Sequence, residues 1–299
     1  MNNDLIYKIT DSEKDMKLRE YLRKTAKLSG RLIKGAAIDG RIRVNDIVTK
    51  LNYVLKTGDT ISFQVEKNES QNIEPEKIDL DIRYEDEDLI IVNKMPGMVV
   101  HPTRSYPSGT LANGLLYYFK EKGENCIVRL VSRLDMDTSG LIIIAKNQFS
   151  HMSLARDMQS ENFKKSYLAV VHGNLKDKEG TIDLPIYRTG DDSIKRIVDD
   201  RGQKSITHFK VIESYKDSEL LELTLETGRT HQIRVHLSYL GHPIYGDNLY
   251  GIDEDKALIT RQALHAYKIS VPHPRTGEIL TLESELPKDI KELITKISR

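Results

Sequence analysis

Ser132-Arg133-Leu134-Asp135-Met136-Asp137-Thr138-Ser139-Gly140 runs without a break into Leu141-Ile142-Ile143-Ile144-Ala145. The second half is apolar at every position, which predicts a buried strand over Gly140–Ala145. The first half is short and polar and closes on a Ser-Gly turn, so Asp135 is expected at the mouth of that strand. A reactive carboxylate is best held where a rigid element fixes it. Further along, Gly228-Arg229-Thr230-His231-Gln232-Ile233-Arg234-Val235-His236 brings two guanidiniums, Arg229 and Arg234, that can face it.

Around this strand the pattern is strand-rich and mixed. Strands are predicted at Leu89–Asn93, Lys165–Val171, Leu220–Glu226 and Ile279–Leu282, and helices at Gly109–Lys120, Ser150–Gln159 and His231–Leu240. There is no regular strand–helix alternation, no glycine-rich phosphate loop and no internal repeat. The expectation is an α+β domain over residues 78–299 on a large mixed, mainly antiparallel sheet.

The N-terminal part reads differently. Leu18, Tyr21, Leu22 and Ala26 recur at helical spacing and predict a helix over Lys14–Lys27. Ser29 is placed to cap a second helix carrying Leu32, Ile33, Ala36 and Ala37, and Gly40 to end it. Ile42 and Val44 alternate with Arg41, Arg43 and Asn45, and Gly58-Asp59 turns into an alternating Thr60–Val65. A small α/β domain is therefore expected over residues 14–65, with a polar linker carrying Pro75 over 66–77.

Net charge is zero over 299 residues, but its distribution is not even. From Lys17 to Lys50 the chain carries Lys17, Arg19, Arg23, Lys24, Lys27, Arg31, Lys34, Arg41, Arg43 and Lys50 against only Glu20, Asp39 and Asp46. From Glu66 to Asp88 acidic residues dominate in the same way. A basic N-terminal module followed by an acidic connector points to a nucleic-acid partner. No apolar run approaches the length of a membrane span, the N-terminus lacks a signal-peptide pattern, and Cys126 is a lone cysteine; a cytosolic protein is expected. His231 and His236 are five apart, off a common helix face, and no His or Cys pair has zinc-ligand spacing, so no metal site is expected.

Taken singly, Asp135 suits a cap or an ion pair, and Tyr167, in Lys164-Lys165-Ser166-Tyr167-Leu168-Ala169, suits a core strand. Their co-occurrence with the Arg234 block changes that. Arg133-Leu134-Asp135, Thr138-Ser139-Gly140 and the 229–236 block resemble the signature of the RluA-type pseudouridine synthases, most closely the ribosomal large-subunit enzymes. Further matches run through Leu89–Gly97, Val100-His101-Pro102, Gly241–Asp247, Gln262–Ala266 and His273-Pro274 with Thr276-Gly277-Glu278. Ser132 departs from the pattern, since many members have histidine there.

The resemblance implies an RNA enzyme that breaks the bond between uracil N1 and the ribose, rotates the base and rejoins it through C5. That chemistry consumes nothing and calls for no cofactor. The resemblance makes Asp135 the catalytic carboxylate, Tyr167 the group that handles a proton or stacks, and Arg234 the cation paired with Asp135. Arg133 falls where the family arginine enters the RNA helix, and Arg229 is a second cleft cation for RNA. Residues 16–65 resemble an RNA-binding domain of the ribosomal protein S-four type, with Lys17, Arg19, Arg23, Lys27, Arg31, Lys34, Arg41 and Arg43 as its RNA contacts. Large-subunit ribosomal RNA is the expected substrate and a monomer the expected state. The rival readings are a transfer RNA pseudouridine synthase, a non-catalytic RNA-binding assembly factor, and a hydrolase with paired carboxylates, for which Asp137 lies too close in sequence to Asp135.

Overall fold

The computed structural model describes residues 4–65, 71–190 and 193–298. The chain opens with β1 (Asp4–Lys8), α1 (Leu18–Lys24), α2 (Gly30–Ile38), β2 (Ile42–Val44), β3 (Ile47–Val48) and β4 (Thr60–Gln64). The four strands form one sheet in the order β1-β4-β2-β3. Leu18, Leu22, Leu32, Ile33, Ile42, Ile61 and Phe63 fill the space between sheet and helices. The Ser29 side chain accepts the Leu32 N–H and caps α2, as its position predicts.

Two local features differ from expectation. α1 is shorter than Lys14–Lys27 because Asp15 and Lys27 take left-handed backbone angles, φ 68° and 54°, which a right-handed helix cannot contain. β1 extends the sheet on the N-terminal side of residue 14, pairing with β4 from Asp4–Gln64 to Lys8–Thr60. Its five residues carry too short a pattern to be read without that distant partner.

The acidic connector is docked rather than free over the part described. Gln71 exchanges hydrogen bonds with the backbone of Val128, and Asn113 Nδ2 donates to Glu74 O. Residues 66–70 lie outside the described residues.

The rest of the chain runs β5 (Ile82–Glu85), β6 (Leu89–Lys94), α3 (Leu111–Glu121), β7 (Arg129–Leu130), β8 (Ser139–Ala145), α4 (Gln148–Asp157), β9 (Lys164–His172), β10 (Glu179–Asp183), β11 (Ile186–Arg188), β12 (Arg196–Val198), β13 (Ile206–Ser214), β14 (Ser218–Leu225), α5 (Gln232–Tyr239), a 3₁₀ turn (Asp253–Ala257), β15 (Leu264–Pro272), β16 (Ile279–Glu283) and α6 (Lys288–Ile297). Ten of these strands make one mixed sheet whose main path is β10-β13-β14-β9-β15-β8-β6-β5. Its neighbours are antiparallel except β15 and β8, which run parallel through His265–Ser139 and Ala266–Gly140. This is the α+β architecture with a large, mainly antiparallel sheet that the sequence predicts.

β8 is apolar at every position because both its faces are covered. Leu141, Ile143 and Ala145 join a core under α4, while Ile142 and Ile144 join one under α3. The Ser-Gly turn has an equally local cause. Gly140 sits at φ 113°, and a Cβ there would lie 2.3 Å from the Ala266 carbonyl oxygen, so only glycine lets β15 approach. That close parallel pair holds the loop before β8 at the centre of the sheet.

The two units touch. Phe149 and Met152 of α4 pack into the N-terminal core, and the Ser29 N–H points at the Met152 sulfur, 3.1 Å away. Arg275 pairs through Nε with Asp88 at 2.8 Å and donates through Nη1 to the Asp4 carbonyl at 3.3 Å.

Candidate active site

Asp135 sits on the loop between β7 and β8, and nearly every residue that follows it is tied down. Lys94, fully buried at the end of β6, donates from Nζ to Met136 O at 2.7 Å and to Met95 O and Met98 O at 2.9 Å each. Arg261 Nη1 donates to Asp137 O at 3.0 Å, Gln262 Nε2 to Thr138 Oγ1 at 3.2 Å, and Ser139 Oγ pairs with His265 Nδ1 at 2.9 Å. Arg261 is itself gripped by Asp289 at 2.6 and 2.9 Å. A loop held at four successive residues keeps its carboxylate in place without rearrangement.

The guanidinium that meets Asp135 is Arg234, on the buried side of α5. Its Nη1 donates to Asp135 Oδ2 at 2.9 Å, while Nε and Nη2 donate to Asp247 Oδ2 and Oδ1 at 2.6 and 2.7 Å. Asp247 also accepts the backbone N–H groups of Leu249 and Tyr250. Burial works against the charge on Arg234, but Asp247 and Asp135 outweigh it and raise its pKa above the ordinary arginine value. Burial likewise opposes the charge on Asp247, yet Arg234 and the two backbone donors hold its carboxyl below the usual range. The Tyr250 ring lies 5.2 Å from the guanidinium carbon.

His231 caps the start of α5 in a left-handed conformation, φ 59°, that aims its ring inward. Its Nδ1 lies 2.9 Å from Tyr250 Oη, and its Nε2 is 3.9 Å from Asp135 Oδ2. Tyr250 Oη also accepts the Arg196 N–H, so the phenol links His231 to β12. Burial pushes the imidazole pKa down, with Asp135 pulling the other way.

Tyr167 lies on β9, 6% exposed, and faces the same cleft. Burial first, and the nearby Asp135 carboxylate second, push its phenol pKa well up, so it stays protonated. Its hydroxyl has no hydrogen-bond partner among the described residues. Arg133 is exposed at the cleft mouth with Nη2 3.4 Å from Thr230 Oγ1. Arg229 also lines the mouth but turns its Nε to Lys204 O; Arg234, not Arg229, reaches Asp135. The cleft encloses about 690 Å³, within the range of small-molecule sites and ample for one nucleoside.

Of the basic residues expected to meet RNA on the N-terminal unit, Lys17, Arg19, Arg23, Lys27, Arg31, Lys34 and Arg43 are exposed. Arg41 is a correction. It is 8% exposed, and its nitrogens are taken by Asp39 and the Gln64 carbonyl, so it ties β2 to β4 instead of facing solvent. Among the described residues no group of three His, Cys, Asp or Glu is placed to hold a metal ion, and no helix is long and apolar enough to cross a membrane.

Sequence reasoning passed over Asp247, Tyr250, Lys94 and Arg261. Lys94 and Asp247 lie in matched segments, but nothing in their spacing says which side chain they hold.

A family model described as RNA pseudouridylate synthase matches residues 88–239, a span that includes Asp135, Tyr167 and Arg234. The chain belongs to that family. It is an RNA pseudouridine synthase, an isomerase whose substrate is RNA. The "Uncharacterized RNA pseudouridine synthase YlyB" of Bacillus subtilis is 43% identical over 264 residues, 87% of this chain and 87% of that protein. The "Ribosomal large subunit pseudouridine synthase D" of Haemophilus influenzae is 37% identical over 269 residues, 86% of this chain and 83% of that one. The solved "Human RNA Pseudouridylate Synthase Domain Containing 1" superposes with a TM-score of 0.57 at 25% identity, covering 73% of this chain and 94% of that one.

Proposed function

We infer that this synthase modifies large-subunit ribosomal RNA, with Asp135 as the carboxylate that meets ribose C1′. The observation that carries the assignment of roles is the three-way use of Arg234: two nitrogens spent on buried Asp247, the third aimed at Asp135 Oδ2. An arginine anchored in this way holds a carboxylate by a charge-assisted hydrogen bond and fixes its direction of approach. When the C1′–N1 bond breaks, the bonding pair leaves with uracil, and Asp135 stabilises or captures the electron-poor C1′. Tyr167, whose phenol burial keeps protonated, is suited to stacking on the base and donating a hydrogen bond more than to removing a proton.

Relatives named for the ribosomal large subunit support the ribosomal substrate. We read the N-terminal unit as an RNA-binding domain of the S-four type that adds phosphate contacts through its exposed lysines and arginines, with Arg133 and Arg229 serving at the cleft mouth. The lone Cys126 supports a reducing compartment, the cytoplasm.

The test is pseudouridine mapping of ribosomal and transfer RNA from cells with and without the gene. Marks lost from large-subunit RNA and restored by the wild type, but not by Asp135→Asn, are the expected result. Marks lost from transfer RNA instead would overturn the ribosomal assignment, and restoration by Asp135→Asn would overturn the role of Asp135.

A further inference from the structure

Two lysines are deeply set near the cleft, and the fold treats them in opposite ways. Lys94 has three carbonyl oxygens around its ammonium, one for each hydrogen. Lys165, on β9, has none. Its Nζ makes no hydrogen bond or ion pair among the described residues, and the Phe163 ring lies 5.8 Å away. Burial alone pushes its pKa down to about 8. A half-buried cation whose one contact is an aromatic ring, with no hydrogen bond or anion beside it, is costly, and such groups gather where a ligand supplies the missing charge.

Its position says which ligand. Lys165 and Tyr167 are two apart on one strand, so they share a face of the sheet, and both line the cleft that holds Asp135. The other charged or titratable groups on that cleft are His101, Arg133, Asp135, Arg229, His231 and Arg234; the sole carboxylate among them is committed to Arg234. No carboxylate of the cleft is left to pair with Lys165.

We propose that Lys165 is a substrate contact whose ammonium meets an anionic oxygen of the target nucleotide inside the Asp135 cleft. Two such oxygens exist. One belongs to a phosphate flanking the nucleotide, charged before and after reaction. The other belongs to uracil: when C1′–N1 breaks, the electron pair passes to N1 and spreads onto O2 and O4, so these oxygens gain charge in the step itself. The pair returns to bonding when C5 joins C1′, with the proton lost from C5 balanced by one gained at N1. The assignment rests on the pseudouridine synthase activity and on the Asp135 cleft being its site.

The experiment uses full-length enzyme and total RNA, labelled with tritium at uridine C5, from cells lacking the gene; release of tritium reports turnover. Lys165→Met keeps the length of the stem and removes the charge, and Lys165→Arg keeps the charge. The expected result is a loss of about tenfold or more in kcat/KM for Lys165→Met, with Lys165→Arg recovering most of it. A loss confined to kcat identifies the uracil oxygens, and a rise confined to KM identifies the phosphate. Lys165→Met within twofold of wild type, or folded Lys165→Arg as impaired as Lys165→Met, would overturn the assignment while leaving the enzyme's function intact. A wild type that releases no tritium would instead overturn the activity on which it rests.

Discussion

Asp247 grips Arg234 through both carboxylate oxygens, at 2.6 and 2.7 Å, and both residues are almost wholly buried. The pair is thirteen residues apart in sequence, yet it decides which way the third nitrogen of Arg234 points. Asp247→Asn keeps the shape and removes the charge. Breaking one side of a buried pair costs about 3–5 kcal/mol. A clear drop in unfolding free energy is expected, together with a kcat loss of about 10- to 100-fold from the misdirected Arg234. Chemical denaturation and turnover assays check both; wild-type values in each would show that Asp247 is dispensable.

Asp135→Asn tests the site at its centre. The substitution keeps the hydrogen bond from Arg234 Nη1, so the loop should stay folded. Turnover is expected to vanish while RNA affinity stays within a few-fold, as measured by filter binding beside the activity assay. Measurable turnover in that variant would remove Asp135 from the chemistry.

Lys94 links the loop to pH. Burial pushes its ammonium down to about 7, with Asp137 and Asp135 opposing and Arg261 assisting. An unfolded lysine keeps its proton to about pH 10.4. Between the two values the unfolded chain therefore binds the extra proton, and the stability owed to this group rises with pH by up to about 1.4 kcal/mol per unit. Wild type should gain on Lys94→Met as pH climbs from 7 to 9, read from denaturation curves at each pH. A gap that stays constant or narrows would mean the folded protein keeps this proton throughout.

The N-terminal unit offers a contrast between two kinds of arginine. Arg19, Arg23 and Arg31 are exposed, whereas Arg41 is committed to Asp39 and Gln64. Replacing the first three with glutamine should weaken RNA binding and flatten its salt dependence by about 0.7–0.9 in slope for each phosphate left without its cation. Arg41→Gln should lower thermal stability and leave the slope alone. If the triple variant keeps the wild-type slope, these residues do not touch phosphate.

Much of the sheet could be read in advance because burial is written in local composition. Leu141–Ala145 is apolar at every position and lies between two cores, and the Ser29 cap announced α2 from a single residue. Helix ends were less legible. α1 stops short where Asp15 and Lys27 adopt left-handed angles that their residue types do not advertise. β1 was invisible because five residues become a strand only when β4 lies beside them.

Arg41 shows the limit most clearly. In the sequence it is one of a run of basic residues, indistinguishable from Arg43; in the structure one is buried and the other exposed. Strand alternation places residues two apart on one face and so groups Arg41 with Arg43; nothing in it announces that Arg41, just ahead of β2, finds acceptors in Asp39 and the Gln64 carbonyl.

The sequence by itself determined that Asp135 stands at the head of a fully buried strand, while the pairing of that residue with the 229–236 block came from the family resemblance. It could do so because period and apolarity along a few residues settle what is buried. Only the tertiary structure decided that Asp247 aims Arg234 at Asp135 and that Lys94 and Arg261 pin the loop. Hydrogen bonds form over about 3 Å with defined angles. Their partners come from segments brought together by packing far along the chain, and no local pattern carries that information.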